Sequence, residues 1–172
     1  MSTTAAAGSP ADDTVRASWV PMVAIALGQV LMSFNVAALP VSMSGMVASF
    51  GVPPTTVATG IVMYSLAVAG LVMLGTKLNQ RFGAGRVFRV MVGMFVIAQA
   101  MMVFAPTATV MIAAQGVAGT AAAALVPSLV ALIAHHYQGR QQATAVGTLG
   151  SARAGAGVAA FLIGGILGTF VG

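Results

Sequence analysis

Five long apolar stretches account for most of this sequence. In lipid, every backbone polar group must be satisfied within its own segment, so each crossing requires a helix of about 20 mainly apolar residues. The stretches that meet this requirement run approximately over 19–39, 57–75, 87–104, 109–134 and 143–170. Proline and glycine in the connectors between them favour turns over continued helix. The sequence therefore predicts an all-α integral membrane protein with five transmembrane helices.

The composition excludes a soluble protein. Only 5% of residues are charged and 59% are hydrophobic, with a mean hydropathy of +1.00, whereas soluble domains contain roughly 25% charged residues. The formal charge of +5 does not indicate nucleic-acid binding, because seven cations separated by uncharged stretches form no continuous basic face. Since there is no cysteine, disulfides, thiolate catalysis and cysteine-ligated metals are excluded.

Residues 1–18 differ from the rest of the chain because they are small and polar and contain both acidic residues, Asp12 and Asp13. A cleaved signal peptide has a basic start followed at once by a short apolar run, but here the apolar run begins late and is long. We expect a disordered cytoplasmic tail over 1–18 and the helix bundle over 19–172.

The cations occupy alternate connectors. They are Lys77, Arg81, Arg86 and Arg89 around the second connector, Arg140 in the fourth, and Arg16 ahead of the first stretch. The first and third connectors contain none. Because cytoplasmic loops are enriched in Lys and Arg, we expect a multi-pass protein in the bilayer of the cell (inner) membrane, with its N-terminus in the cytoplasm.

Small residues indicate where helices approach each other closely. The fifth stretch has a four-residue spacing of small side chains at Gly147, Ser151, Gly155 and Ala159. The fourth has Gly116, Gly119 and four alanines over 121–124. Since small residues let helix backbones approach in lipid, we expect these two helices to form the tight part of the bundle. The alternative is that Gly and Ala are merely frequent here.

A few polar side chains fall at membrane depth, and we take five of them as candidates for the lining of a cavity. They are Gln29, Asn35, Gln99, Gln115 and Arg153. A guanidinium near the bilayer centre costs about 2.5 kcal/mol or more and usually faces a cavity or a partner. Arg153 has no embedded carboxylate to pair with. Two interpretations remain open: Arg153 faces a cavity, or it extends to the cytoplasmic interface.

No group of residues suggests an enzyme or a metal site. His135 and His136 are adjacent, so on a helix their side chains point about 100° apart and make a poor metal pair. Together with Tyr137 they suggest an interfacial cap, and Trp19 suggests an interface anchor. Without a catalytic triad or paired carboxylates at membrane depth, we expect no enzyme activity and no cofactor.

Several motifs resemble the N-terminal half of the major facilitator superfamily, most closely its fourteen-helix drug:proton antiporter branch. The family's second-to-third loop reads approximately G-x-L-x-D-R-x-G-R-R, and this chain has "TKLNQRFGAGR" with Leu78, Arg81, Gly83 and Arg86 in place. The family's fourth helix reads approximately "IAARxxQGxxAAxxxPS", and this chain has "IAAQGVAGTAAAALVPS" over 112–128. The resemblance covers about residues 19–172 and implies a major-facilitator-type N-terminal bundle.

The departures from the family pattern remove charges and a proline. Gln80 stands where the family loop has Asp, Gln115 where the fourth helix has Arg, Leu31 where the first helix often has Asp, and Ala160 and Phe161 where the fifth has Gly-Pro. The resemblance implies that the loop gates the transporter through its carboxylate, which is an interaction with a helix dipole. With Gln80 we expect a weaker latch, and with Gln115 a bundle without proton coupling of its own.

We therefore expect part of a secondary active transporter, of the multidrug-efflux or small-solute type, that is incomplete and not competent alone. Such transporters rock two helix bundles about a midplane cavity, so a small-molecule solute is the expected partner once a second half is present. The alternative is a non-transporting membrane fragment or a helix-bundle interaction module. A reading frame that continues into a sixth apolar segment and a second half would favour the transporter.

Overall fold

The fold is a bundle of long helices. The computed structural model describes residues 17–170, with side chains described as far as residue 166. Within that part of the chain there are six helices and no strand. They are α1 (Val20–Val41), α2 (Met43–Phe50), α3 (Pro54–Phe82), α4 (Ala84–Val103), α5 (Ala108–His136) and α6 (Gly139–Phe170). All except α2 are long and apolar enough to cross a membrane, which confirms the predicted all-α fold with five membrane-length helices.

The segment predicted as a gating loop between the second and third spans is helical except at Gly83, so the prediction of an extended loop is corrected. α3 continues to Phe82, and α4 begins at Ala84. Only Gly83 separates them, with a φ of +84° that a residue without a Cβ adopts readily. The predicted loop residues are therefore on helices, with Leu78, Gln80 and Arg81 at the end of α3 and Arg86 at the start of α4. Lys, Leu, Gln and Arg are good helix formers, so the helix does not end where the membrane does.

α5 forms the centre of the bundle, and its segment 121–125 is buried throughout. α3 and α4 pack along α5, whereas α6 packs mainly against α1 and has few contacts with α5. The prediction that the fourth and fifth spans form the tight pair is therefore wrong. Small residues show that a backbone can be approached, but they do not identify the helix that approaches it.

The predicted packing stripe of α6 does not pack. Its members are Gly147, Ser151 and Gly155, which are exposed, and Ala159, which is half-buried. A Cβ placed on either of the two glycines meets no atom within 4 Å. The buried residues of α6 include Ala145, Ala156 and Ala160, which lie on a neighbouring face of the helix. The stripe is therefore available on the surface of this bundle.

α3 and α5 approach each other closely, and glycines on both helices permit it. A Cβ on Gly75 would collide with the carbonyl oxygen of Ala123 and would lie 2.7 Å from the Cα of Ala124. A Cβ on Gly119 would lie 2.5 Å from the carbonyl oxygen of Tyr64. Real Cβ atoms essentially never come this close to backbone, so both positions require glycine at this helix separation.

The segment before α1 is held at the end of the bundle where α5 meets α6. The Tyr137 hydroxyl donates to the carbonyl oxygen of Ser18 at 2.9 Å, and its ring stacks on Trp19 with centroids 5.2 Å apart. Gln141 exchanges two hydrogen bonds with the backbone of Ala17. Of the tail predicted over 1–18, residues 1–16 lie outside the described part of the chain. Tyr137 is fully buried and packs against this segment, while its predicted role as an interfacial cap stays a prediction.

The same end carries nearly all the charge. Lys77, Arg81, Arg86, Arg89 and Arg140 lie where α3 ends, where α4 begins and where α6 begins. We call this the basic end. The opposite end, formed by residues 41–54 and 103–108, contains neither Lys nor Arg.

Candidate functional site

A cavity of about 540 Å³ lies among α1, α3, α5 and α6. Its polar lining consists of Gln29, Ser33, Tyr64, Ser65 and Arg153. Apolar residues complete the wall, among them Met32, Val36, Val68, Ala122 and Val126. The volume falls in the range of roughly 300–1,000 Å³ that is typical of sites for drug-sized ligands.

The cavity lies at membrane depth. Its lining residues fall over 29–37 in α1, 64–69 in α3, 122–126 in α5 and 153–157 in α6, which is the middle part of each helix. At 1.5 Å per residue, Arg153 lies about 21 Å along the axis from the start of α6 at Gly139. The hydrocarbon core is about 30 Å thick, so for a helix that enters it near Gly139 this distance falls in the interior of the core.

Arg153 and Gln29 are the two predicted cavity residues that the structure places on this wall. Arg153 is exposed to the cavity side of α6 and forms no hydrogen bond or ion pair with the described residues. Gln29 donates from Nε2 to the Ser33 hydroxyl at 2.7 Å, one helical turn away. This pair presents both an amide and a hydroxyl to the same cavity.

Asn35 and Gln115 are placed differently from the prediction, because they are buried between α1 and α5 and do not line this cavity. Each side-chain amide donates to the other's oxygen, both at 3.3 Å. Gln115 Nε2 also lies 3.4 Å from the sulfur of Met102. A buried polar group is costly unless it is hydrogen-bonded, and here each neutral amide is both donor and acceptor to the other. They are therefore not part of the wall of this cavity, and whether they line another part of a solute pathway stays a prediction.

Gln99, the fifth candidate, is on α4 and does not line this cavity either. Its Nε2 atom is buried and has no hydrogen-bond partner within the described part of the chain. α4 packs against α5 and contributes no residue to the cavity wall. Gln99 is therefore not part of this cavity, because polarity at membrane depth does not specify which face of a helix meets a cavity; a role for Gln99 elsewhere in a solute pathway stays a prediction.

A buried polar cluster that the sequence did not reveal links α3 to α5 near the basic end. Asn79 Nδ2 donates to the carbonyl oxygens of Gly75 at 2.9 Å and Ala124 at 3.2 Å. The Ser128 hydroxyl lies 2.7 Å from both Asn79 Oδ1 and the Ala124 carbonyl, and its single proton serves one of them at a time. Pro127 lacks an N–H, so it leaves the preceding turn of α5 short of one donor. The sequence feature that could have indicated this cluster is the polar residue Asn79 one helical turn after Gly75.

The residues predicted for gating lie exposed at the basic end, apart from half-buried Leu78. They comprise Gln80, Arg81, Gly83 and Arg86. The Arg81 guanidinium lies 5.5 Å from the centroid of the Phe82 ring. Within residues 17–170 there is no carboxylate to pair with these cations. Whether they gate transport stays a prediction.

Comparison with known proteins identifies the family. The sequence matches the Major Facilitator Superfamily over residues 25–172, which is most of the chain. The chain belongs to this family of membrane transporters, as its motifs predicted. In secondary transporters, solute sites lie near the bilayer midplane at the interface between the structural repeats.

Two curated relatives are resistance proteins of Streptomyces. The chain is 28% identical over 150 residues to the puromycin resistance protein of Streptomyces alboniger, an alignment that covers 87% of this chain and 30% of that protein. It is 32% identical over 127 residues to the methylenomycin A resistance protein of Streptomyces coelicolor, which covers 74% of this chain and 27% of that protein. The chain thus spans about a third of the length of these relatives.

Proposed function

We propose that this chain forms one wall of the solute pathway in an efflux transporter for small molecules. The observation that carries the proposal is the cavity at membrane depth, which combines an apolar wall with five polar side chains. The names of the two relatives, both antibiotic resistance proteins, support efflux of drug-like molecules. The solute binds among α1, α3, α5 and α6.

Transport in this proposal needs a second helix bundle opposite the cavity. Alternating access is a rocking of one bundle against another around a central site. Several cavity residues, such as Val36, Ser65 and Arg153, are exposed in this bundle, which supports a second bundle as the opposite wall. The present chain binds solute on its own wall and does not move it across the membrane alone.

The proposed orientation places the basic end in the cytoplasm of a cell-membrane protein. The clustering of five cations at one end, and their absence from the other, supports this orientation by the enrichment of Lys and Arg on the inner side. Since the chain has no cysteine, single-cysteine variants test it directly. In intact cells, an impermeant thiol reagent labels Gly45→Cys at the opposite end and leaves Gln80→Cys unlabelled; the reverse result contradicts the orientation.

This bundle does not carry the coupling proton in our proposal. The only acids of the sequence are Asp12 and Asp13, and the amides of Gln115 and Asn35 are neutral and paired with each other. Any proton coupling must therefore come from carboxylates outside this chain. Solute added to the purified chain in weakly buffered detergent solution releases no protons. Stoichiometric release would contradict this part of the proposal.

Binding of a neutral amphipathic dye, N-phenylnaphthylamine, to the chain in lipid nanodiscs tests the proposed function. Ser65→Trp fills the cavity from α3, whereas Leu66→Trp adds the same bulk to an exposed neighbour outside the cavity. We expect saturable dye binding that Ser65→Trp abolishes and Leu66→Trp retains. Equal binding by both variants, or none by the unmodified chain above empty nanodiscs, contradicts a solute cavity here.

A second candidate function is an interaction module that docks on another helix bundle. The exposed small residues of α6 at Gly147, Ser151 and Gly155 favour it, because such faces let helices pack closely in lipid. If docking were the whole function, replacing Gly155 by Leu would prevent association with a second bundle while Ser65→Trp would have no effect on any activity. The transporter proposal predicts that both substitutions impair solute efflux.

A further inference from the structure

Arg153 is a cation in an otherwise mainly apolar part of α6. It lies on the cavity wall about 21 Å along α6 from the basic end. A guanidinium at this depth costs free energy unless it meets water or a partner. Because its side chain is exposed to the cavity, Arg153 can contact water and any solute that enters. We therefore expect its partner in the cavity.

The protein offers no charged partner within the part that the structure describes. Residues 17–170 contain no Asp or Glu, and no hydrogen bond is formed by Arg153 with them. The other polar groups of the wall are the hydroxyls of Ser33, Tyr64 and Ser65 and the amide of Gln29. Hydroxyl and amide groups donate hydrogen bonds as readily as they accept them. The wall therefore combines one permanent positive charge with several donors and no negative charge.

That combination matches one class of ligand group. Carboxylate, sulfonate and phosphate oxygens accept hydrogen bonds from Arg in a fork geometry, and such charge-assisted bonds are about twice as strong as neutral ones. A cationic solute would instead meet repulsion from Arg153 without any compensating acid from residues 17–170. The remaining wall, which includes Met32, Val36 and Val68, suits an apolar body.

We propose that the solute of this cavity is an amphipathic organic anion whose acidic group binds Arg153. The inference rests on the proposed function, because it names the solute class of the same cavity. The anionic oxygens accept from the guanidinium, the hydroxyls of Ser33 or Ser65 supply further donors, and the apolar body lies against Met32 and Val68. Lipid phosphate has the same oxygen chemistry, but headgroups lie at the membrane surface and Arg153 lies well inside the hydrocarbon region.

A matched pair of dyes tests this directly on the full chain in nanodiscs of zwitterionic lipid. Anilinonaphthalene sulfonate and N-phenylnaphthylamine share their aromatic rings and differ by the sulfonate group. We expect Arg153→Gln to weaken sulfonate binding on the order of 10- to 100-fold, as loss of a hydrogen-bonded charge does. It leaves neutral dye binding within about 2-fold, because apolar contacts alone set that affinity. Arg153→Lys, which keeps the charge but not the fork, retains part of the sulfonate affinity.

Arg140→Gln is the control, because it removes an arginine from the same helix outside the cavity and leaves binding of both dyes unchanged. If Arg153→Gln weakens both dyes equally, or neither, the anion proposal is overturned and the cavity remains a binding site. If neither dye binds the unmodified chain, the proposed function is wrong, and the anion proposal that rests on it is wrong as well. If anionic phospholipid in the nanodisc displaces the sulfonated dye alone, the cavity holds lipid phosphate and the solute class is wrong.

Discussion

Replacement of Gly75 by alanine tests how closely α3 approaches α5. An added Cβ would collide with the carbonyl oxygen of Ala123 and come within 2.7 Å of the Ala124 Cα. Both contacts are with backbone, which cannot rotate away as a flexible side chain can, so the helices must separate. The matched control is Gly70→Ala on the same helix, where an added Cβ meets nothing within 4 Å.

The expected magnitude follows from two opposing effects on the free energy of unfolding. Overpacking of a tight contact costs about 1–3 kcal/mol, and a backbone contact belongs at the upper end. Alanine is a better helix former than glycine by roughly 1 kcal/mol, which favours both variants equally. Gly75→Ala is therefore destabilised by about 2 kcal/mol and Gly70→Ala is stabilised by up to about 1. The difference of about 3 kcal/mol corresponds to roughly 100-fold in the ratio of folded to unfolded protein.

Unfolding by sodium dodecyl sulfate in mixed micelles, followed by far-ultraviolet circular dichroism, measures this difference. Neutral dye binding provides a second readout, because α3 and α5 supply Tyr64 and Ala122 to the same cavity wall. We expect Gly75→Ala to weaken dye binding under conditions where it is still folded. Equal stability of the Gly75 and Gly70 variants would refute the close approach of these helices.

Three further experiments test buried polar contacts. Asn79→Leu and Ser128→Ala each destabilise the bundle, and a double-mutant cycle gives a coupling of about 1 kcal/mol, the scale of hydrogen bonds between membrane helices; strict additivity would contradict the Asn79–Ser128 bond. Asn35→Leu leaves the buried amide of Gln115 without its Asn35 partner and lowers the free energy of unfolding by about 2 kcal/mol. Adding Gln115→Leu restores most of that free energy. Tyr137→Phe removes one hydrogen bond to the segment before α1, so amide exchange there becomes faster while exchange in α5 stays unchanged.

The number of spans could be predicted from the sequence because hydrocarbon imposes both length and polarity on each segment. The pairing of the helices could not. The stripe of Gly147 and Gly155 signalled a surface that another helix can approach, yet α6 pairs with α1 through a different face. A spacing of four defines a helix face, but the partner depends on all the other faces at once.

The site was predictable in part, at Arg153 and Gln29, which line the cavity. Arg153 stood out because a cation at membrane depth needs a partner or water, and it lines the cavity. Asn35 and Gln115 carried the same kind of polarity signal, but two neutral amides on different helices can satisfy each other. Asn79 was missed because it was assigned to a loop, although α3 continues past the apolar stretch and buries it. Polarity alone does not distinguish a ligand contact from an internal pair.

Water access to the cavity at membrane depth is the claim on which the proposals depend, and a single-cysteine experiment measures it. The chain has no cysteine of its own, so Ser65→Cys reports on the cavity and Leu66→Cys on an exposed neighbour outside it. With the chain in lipid nanodiscs, an impermeant charged maleimide is expected to label Ser65→Cys, more slowly when anilinonaphthalene sulfonate is bound, and to leave Leu66→Cys unlabelled. Equal labelling of the two positions, or none at either, would contradict a solute cavity in this bundle.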